Sequence, residues 1–223
     1  MPSPFSAKAL KLDYFKIYDV ANQLLKDTVM LQGQFDDEPE TARVLGIDFF
    51  ANVASKNGEP PFDRRAHLTW YRVFDPSPEP MRRVVVENQF GEQKLVIGPV
   101  KDMLVPARTY TVPTVGVSPV LDHFKVYRVL DGAPIDRPVA LKDEFRIEKG
   151  MVTVPIAFAV PAVKTHAGKS APIKNKEAHL VIYRFSPREI KKTFRTRDQF
   201  SGHWLTATRT VMLAAPSIKK SWK

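Results

Sequence analysis

Residues 121–129 read LDHFKVYRV, and residues 12–20 read LDYFKIYDV. The match continues along the chain: VMLQGQF (29–35) answers VALKDEF (139–145), HLTWYRV (67–73) answers HLVIYRF (179–185), VENQF (86–90) answers TRDQF (196–200), and MLVP (103–106) answers MLAAP (212–216). The offsets stay between 109 and 112, so two copies of one unit follow each other in tandem.

Each copy is itself doubled. Aligning Tyr18, Tyr71, Tyr127 and Tyr183 brings Phe35, Phe90, Phe145 and Phe200 into near register; three of these follow Gln, and Phe145 follows Glu144. Each quarter then reads as a strand ending in Tyr, a strand ending in Gln/Glu-Phe, and a strand leading towards Pro.

The local pattern is β. Short runs such as HLVIYRF, RRVVVENQF and GMVTVPIAFAV are rich in Val, Ile, Phe and Tyr, and 19 prolines punctuate them. VANQLLKDTVMLQ (20–32) has the look of an amphipathic helix, but its counterpart VLDGAPIDRPVALK (129–142) holds two prolines and a glycine, which a helix interior refuses. The expectation is an all-β chain of two tandem antiparallel β-sandwich or barrel-like domains, residues 1–111 and 120–223, joined by a linker at 112–119. The alternative is that quarters pair across copies into one intertwined domain.

The 223 residues suffice for one large β domain or two smaller ones, and 43% hydrophobic residues mark a globular chain. No run is long and apolar enough to cross a membrane as a helix. The start, MPSPFSAKALK, lacks the apolar stretch of a signal peptide, a pattern shared by a cytoplasmic chain and by one whose leader was removed. With no cysteine, disulfides and thiolate sites are excluded. The net charge of +10 is uneven: residues 1–111 stand at −1 and residues 112–223 at +11.

The boxes LDHFKVYRV, VALKDEF, FAVPAVK, HLVIYRF, TRDQF and MLAAPSIK resemble, in order and spacing, a bacterial domain of unknown function common in secreted proteins, with LDHFKCY, DQF, CNPVxK, HLxCY, NQFG and CVPxxK boxes. The resemblance covers nearly all of both copies. It implies an all-β, generally exported module and brings no known catalytic residues. Where that pattern has cysteine, this chain has Ile17, Phe50, Trp70 and Leu104 in the first copy and Val126, Ala159, Ile182 and Ala214 in the second, all apolar, as buried positions tolerate. If the family's cysteines are paired, losing each bridge forgoes roughly 2 to 4 kcal/mol, so packing or assembly must supply the stability. The loss leaves a cytoplasmic location open beside a secreted, periplasmic or cell-surface one.

No nucleophile elbow, HExxH or dinucleotide fingerprint is present, and THAGKS (165–170) lacks the first glycine of a phosphate loop. His67, His123 and His179 recur at one repeat position, with Tyr14 in the fourth, which marks a packing element rather than a metal site; His203 stands apart. Acidic pairs such as Asp36–Asp37 and Asp143–Glu144 sit in turn-like segments. No catalytic residue, metal or cofactor is expected, and the chain reads as a non-enzyme.

The basic segments carry the functional expectation. Arg184, Arg188, Lys191, Lys192, Arg195 and Arg197 fall within one expected hairpin, and a nearby loop adds Lys164, Lys169, Lys174 and Lys176. Alternation places Lys191, Thr193, Arg195 and Arg197 on one face. Such a ribbon suits a polyanion or acidic glycan, and thin aromatic interleaving disfavours single-stranded nucleic acid. Charge also suggests assembly, the basic second copy of one molecule meeting the DDEPE stretch (36–40) of another. The leading expectation is a structural or interaction module of the cell envelope or exterior, self-assembling or binding another protein; the alternative is a polyanion- or glycan-binding protein acting through the second copy.

Overall fold

The computed structural model describes residues 7–74, 79–110 and 116–223; the expected linker lies partly outside them. After a one-turn helix α1 (Ala7–Leu10) come eleven strands: β1 (Tyr14–Gln32), β2 (Glu40–Lys56), β3 (His67–Phe74), β4 (Arg82–Asn88), β5 (Gly91–Thr109), β6 (His123–Gly132), β7 (Arg137–Lys142), β8 (Ile147–His166), β9 (Lys169–Ala171), β10 (His179–Arg197) and β11 (Gly202–Trp222). The all-β expectation holds, and residues 20–32 are strand within β1.

Eight of these strands close a ring. Going round, β1 pairs with β2, β2 with β3, β3 with β5, β5 with β6, β6 with β8, β8 with β10, β10 with β11, and β11 with β1, all antiparallel. Each quarter contributes two neighbouring strands. The first and last quarters are two-stranded hairpins, because β1 and β10 run unbroken where the middle quarters divide into β3 and β4 or β6 and β7. The three-strand unit expected from sequence is therefore present only in the middle of the chain.

The outer ends of the hairpins reach across the ring. The end of β1 pairs with the end of β8, β7 with the end of β2, β4 with the end of β11, and the end of β10 with the end of β5. First and third quarters thus exchange contacts, as do second and fourth. All strands belong to one hydrogen-bonded sheet, so the division into two separate domains is corrected to the intertwined alternative. The reason is visible in β1, where residues 14–18 are all buried. A strand covered on both faces cannot be served by one sheet of its own copy.

The two faces feed two cores. Phe15, Ile17, Leu68, Trp70, Phe124, Val126, Leu180 and Ile182 fill the ring from within, as side chains do in an eight-stranded barrel. The other face, with the four repeat tyrosines, packs beneath the hairpin ends. Ile17 faces Ala51 across the ladder, Trp70 faces Leu104, Val126 faces Ala159, and Ile182 faces Ala214. The repeat position in the first quarter is therefore Ala51; Phe50, one residue off, belongs to the outer core. A one-residue slip in a strand exchanges faces.

Candidate functional site

The repeated polar residues hold the quarters together. Tyr71 donates to Asp198 at 2.6 Å, Tyr18 to Asp143 at 2.7 Å, and Asn88 donates to the hydroxyl of Tyr183 at 2.8 Å. In each case a tyrosine meets the Asp or Asn of the Gln/Glu-Phe box in the opposite quarter. The Oδ1 of the same Asx side chain accepts the backbone N–H of its own box phenylalanine, at 2.8 to 3.1 Å, which shapes the turn. The box phenylalanines complete the clasps, with ring centroids 5.0 to 5.4 Å from the opposite tyrosines. Burial, then the facing carboxylates, pushes the hydroxyls of Tyr18 and Tyr71 far above the ordinary phenol value.

Two buried lysines make reciprocal bridges between the first and third quarters. Lys16 lies 2.9 Å from Glu148 and 3.5 Å from Asp143, and Lys125 lies 2.7 Å from Asp36, 2.6 Å from Glu40 and 3.3 Å from Glu79. The three carboxylates around Lys125 stand close enough to hold a metal ion, but its ammonium already fills that role. Burial opposes charge on Lys125, yet the bonds to Asp36 and Glu40 outweigh it and hold its pKa above the usual lysine value. Asp36 and Glu40 come from DDEPE. Half of the acidic stretch expected to meet a second molecule is thus engaged within its own chain, while Asp37 and Glu38 are exposed.

The histidines are packing elements on separate strands. His123 meets Gln199, and His179 meets Gln34 and the carbonyl of Glu177, so box glutamines serve them. His67 meets Asn52, and His203 lies against Tyr71 and Ser201. Burial depresses His67 and His179 to about 4 and His123 to about 3. THAGKS is the tight hairpin between β8 and β9, with Ala167 and Gly168 at positive φ.

Among the described residues, the main clefts bring together no reactive set. One of about 360 Å³ lies at the end of the ring beside α1, lined in part by Leu12, Phe124 and Ala178. Its polar groups are spent on structure: Asp122 accepts the N–H groups of Lys174 and Asn175, and Asn175 donates to the carbonyl of Leu10. Lys174 also donates its ammonium to the carbonyl of Leu121 at 2.8 Å.

The ten expected basic residues divide. Arg184, Arg188, Lys191, Lys192, Arg195 and Arg197 are all exposed on β10, as are Lys169 at the start of β9 and Lys174 and Lys176 in the loop after it. Lys164 is a correction. It is 1% exposed, its ammonium 4.7 Å from the centre of the Phe200 ring, and burial lowers it to about 8. Strand alternation holds from Thr193 to Arg197, with Phe194 and Thr196 buried between exposed neighbours. A register shift between Glu189 and Lys192 interrupts it, and Lys191 and Lys192 are both exposed.

The ribbon has aromatic neighbours that sequence did not reveal. Arg195 stands directly opposite Trp204 on β11, whose side chain is 65% exposed. Pairing of β10 with β5 brings Tyr110, whose N–H bonds the carbonyl of Arg195. The guanidinium carbons of Arg195 and Arg108 lie 4.9 and 4.8 Å from the Tyr110 ring centre, and Arg108 also donates to its hydroxyl at 2.7 Å. Desolvation raises that phenol, but Arg108, Arg197 and Arg195 together outweigh it and hold the group below its ordinary value. Among the described residues, Arg108, Arg195 and Arg197 form no ion pair with a carboxylate. Tyr110 and Trp204 are 94 residues apart, and only the uninterpretable signal of single aromatic residues marked them in the sequence.

No curated protein and no solved structure matches the chain. A family model matches residues 67–215, from the start of β3 to the middle of β11, which spans the second, third and fourth quarters. The chain belongs to this family, a repeat of unknown function (DUF7450).

Proposed function

We propose that this protein is a non-catalytic binding module, a self-clasped β-barrel that offers the cationic and aromatic face of the β10–β11 hairpin to an anionic partner. The observation that carries this reading is the set of exposed Arg195 and Arg197 with half-buried Arg108, without carboxylate partners among the described residues and gathered round Tyr110 and Trp204. Many buried polar groups elsewhere, among them Tyr18, Tyr71, Asp143 and Asp198, are absorbed by clasps and turns, and the ring is filled with side chains. A non-enzymatic role fits that economy. The resemblance of its boxes to a family common among secreted proteins supports action at the cell envelope or outside it.

Charge-directed self-assembly is the weaker reading, because Asp36 and Glu40 already serve Lys125. Only Asp37 and Glu38 of that stretch remain exposed to meet the basic face of a second copy, which favours a foreign anion. Titration with dextran sulfate at low and high salt tests the proposal. Binding should weaken steeply with salt and disappear on combining Lys191→Glu, Lys192→Glu and Arg195→Glu. Binding that ignores both salt and these substitutions would sink it. Light scattering alongside should report a 25.3 kDa monomer at both salts; large species that dissolve as salt rises would restore self-assembly.

A further inference from the structure

We infer that the face around Trp204 is a saccharide site, selective for sugar chains that carry carboxylates, a reading that rests on the binding module proposed above. The geometry is a small platform. Arg195 and Trp204 are directly opposite on β10 and β11, and the next pair on the same face is Thr193 with Thr206, whose hydroxyls are 2.9 Å apart. On the other side Arg197 stands opposite Gly202, whose missing side chain leaves room for the Arg195 guanidinium, 4.0 Å from where a Cβ would lie, and Arg197 also bonds the Tyr110 hydroxyl. One face thus carries an open indole, two guanidinium forks and a pair of hydroxyls.

These groups match a uronate unit part by part. The flat indole offers an apolar surface to the C–H face of a pyranose ring, and its own N–H can satisfy a sugar oxygen. A guanidinium fork accepts a planar carboxylate through two parallel hydrogen bonds, which a lysine cannot do. The threonine hydroxyls both donate and accept, as sugar hydroxyls require. Side chains two apart on a strand are about 6.6 Å apart along it, so Arg195 and Arg197 can address separate acidic groups of one extended chain.

Single-stranded nucleic acid fits less well. Such ligands are held by successive bases stacked on several aromatic rings. Here Tyr110 has guanidinium groups over its ring from both Arg108 and Arg195, so it holds arginines in place rather than offering a free platform. Trp204 is left as the one open ring of this face among the described residues.

The test is calorimetric titration of the full chain with four probes: polygalacturonate, dextran sulfate, neutral dextran and poly(U). Polygalacturonate should bind at least as tightly as dextran sulfate and more tightly than poly(U), with a change in tryptophan fluorescence. Trp204→Ala should weaken polygalacturonate about tenfold while Trp204→Phe keeps most affinity, and Arg195→Ala should cost about tenfold or more. Trp204 is exposed, so unchanged melting of these variants will show that the fold is intact. Tighter binding of poly(U), or indifference to Trp204→Ala, would overturn the saccharide assignment while leaving the binding module standing. Failure of all charged probes to bind would sink both.

Discussion

The buried hydroxyl of Tyr127 faces the bare Cα of Gly33, and a Cβ at Gly33 would lie 3.8 Å from it. At the other three clasps that box position is Asp143, Asn88 or Asp198, bonded to the opposite tyrosine. Here the hydroxyl has no hydrogen-bond partner among the described residues, and Asp36 instead accepts the N–H of Gly33. Gly33→Asn would supply the missing carbonyl, and neighbours at 3.4 Å or more leave room for its Cβ. Stability should rise by about 1 kcal/mol, or roughly 2 to 4 °C in Tm. Gly33→Asp should lose that gain, because it adds a carboxylate beside Asp36, Glu40 and Glu79. Paired melting curves of the two variants decide the matter.

Removing a clasp that exists should do the reverse. Tyr71→Phe leaves the carboxylate of Asp198 without its 2.6 Å donor in a buried setting, at a cost of about 1.5 to 3 kcal/mol. Since this clasp ties the second quarter to the fourth, a chain cleaved between residues 111 and 119 should stay associated through β1–β11, β5–β6 and the hairpin exchanges. Neither half expressed alone should show a cooperative transition. Two independently melting halves would contradict the intertwined ring.

Lys16 and Lys164 are both buried, yet their replacement should differ. Lys16→Met removes the buried cation shared by Asp143 and Glu148, leaving Glu148 only its bonds from Arg146 and Thr210, and breaking such a buried pair costs about 3 to 5 kcal/mol. Lys164 has no hydrogen-bond partner for its ammonium among the described residues and pays for burial by a lowered pKa. Lys164→Met should therefore be neutral or stabilising in urea denaturation. It should also leave dextran sulfate binding intact, because the side chain never reaches the surface.

Acid should destabilise the protein in two steps. His67 and His179 titrate near 4 in the folded chain and near 6.5 when unfolded, so between those values the unfolded state binds the extra protons. Stability then falls as pH drops below 6.5, by at most about 1.4 kcal/mol per pH unit for each histidine. Glu148 adds a second window. Burial resists its charge, but bonds from Lys16, Thr210 and Arg146 prevail and hold it below 4.5, so its contribution is lost as pH falls under that value. Urea midpoints at pH 7, 6 and 5 check the first step, and His179→Asn should flatten it.

The strands, the duplication and its doubling were legible in the sequence because they are local or self-similar. Alternation and proline mark strands without reference to neighbours, and Tyr18, Tyr71, Tyr127 and Tyr183 repeat whatever they touch. The exposure of Arg195 and Arg197 followed from the same alternation. Partners were decided only by the tertiary structure. A repeat reveals a unit of about 110 residues but not whether that unit closes on itself, and here strands with two apolar faces closed instead across the copies. Burial of Lys164 depends on Phe200 lying over it, 36 positions away, and the grouping of Tyr110, Arg195 and Trp204 depends on β5 and β10 meeting at their ends. Residue type carries propensity along the chain, whereas covering and juxtaposition are properties of what the folded chain brings alongside.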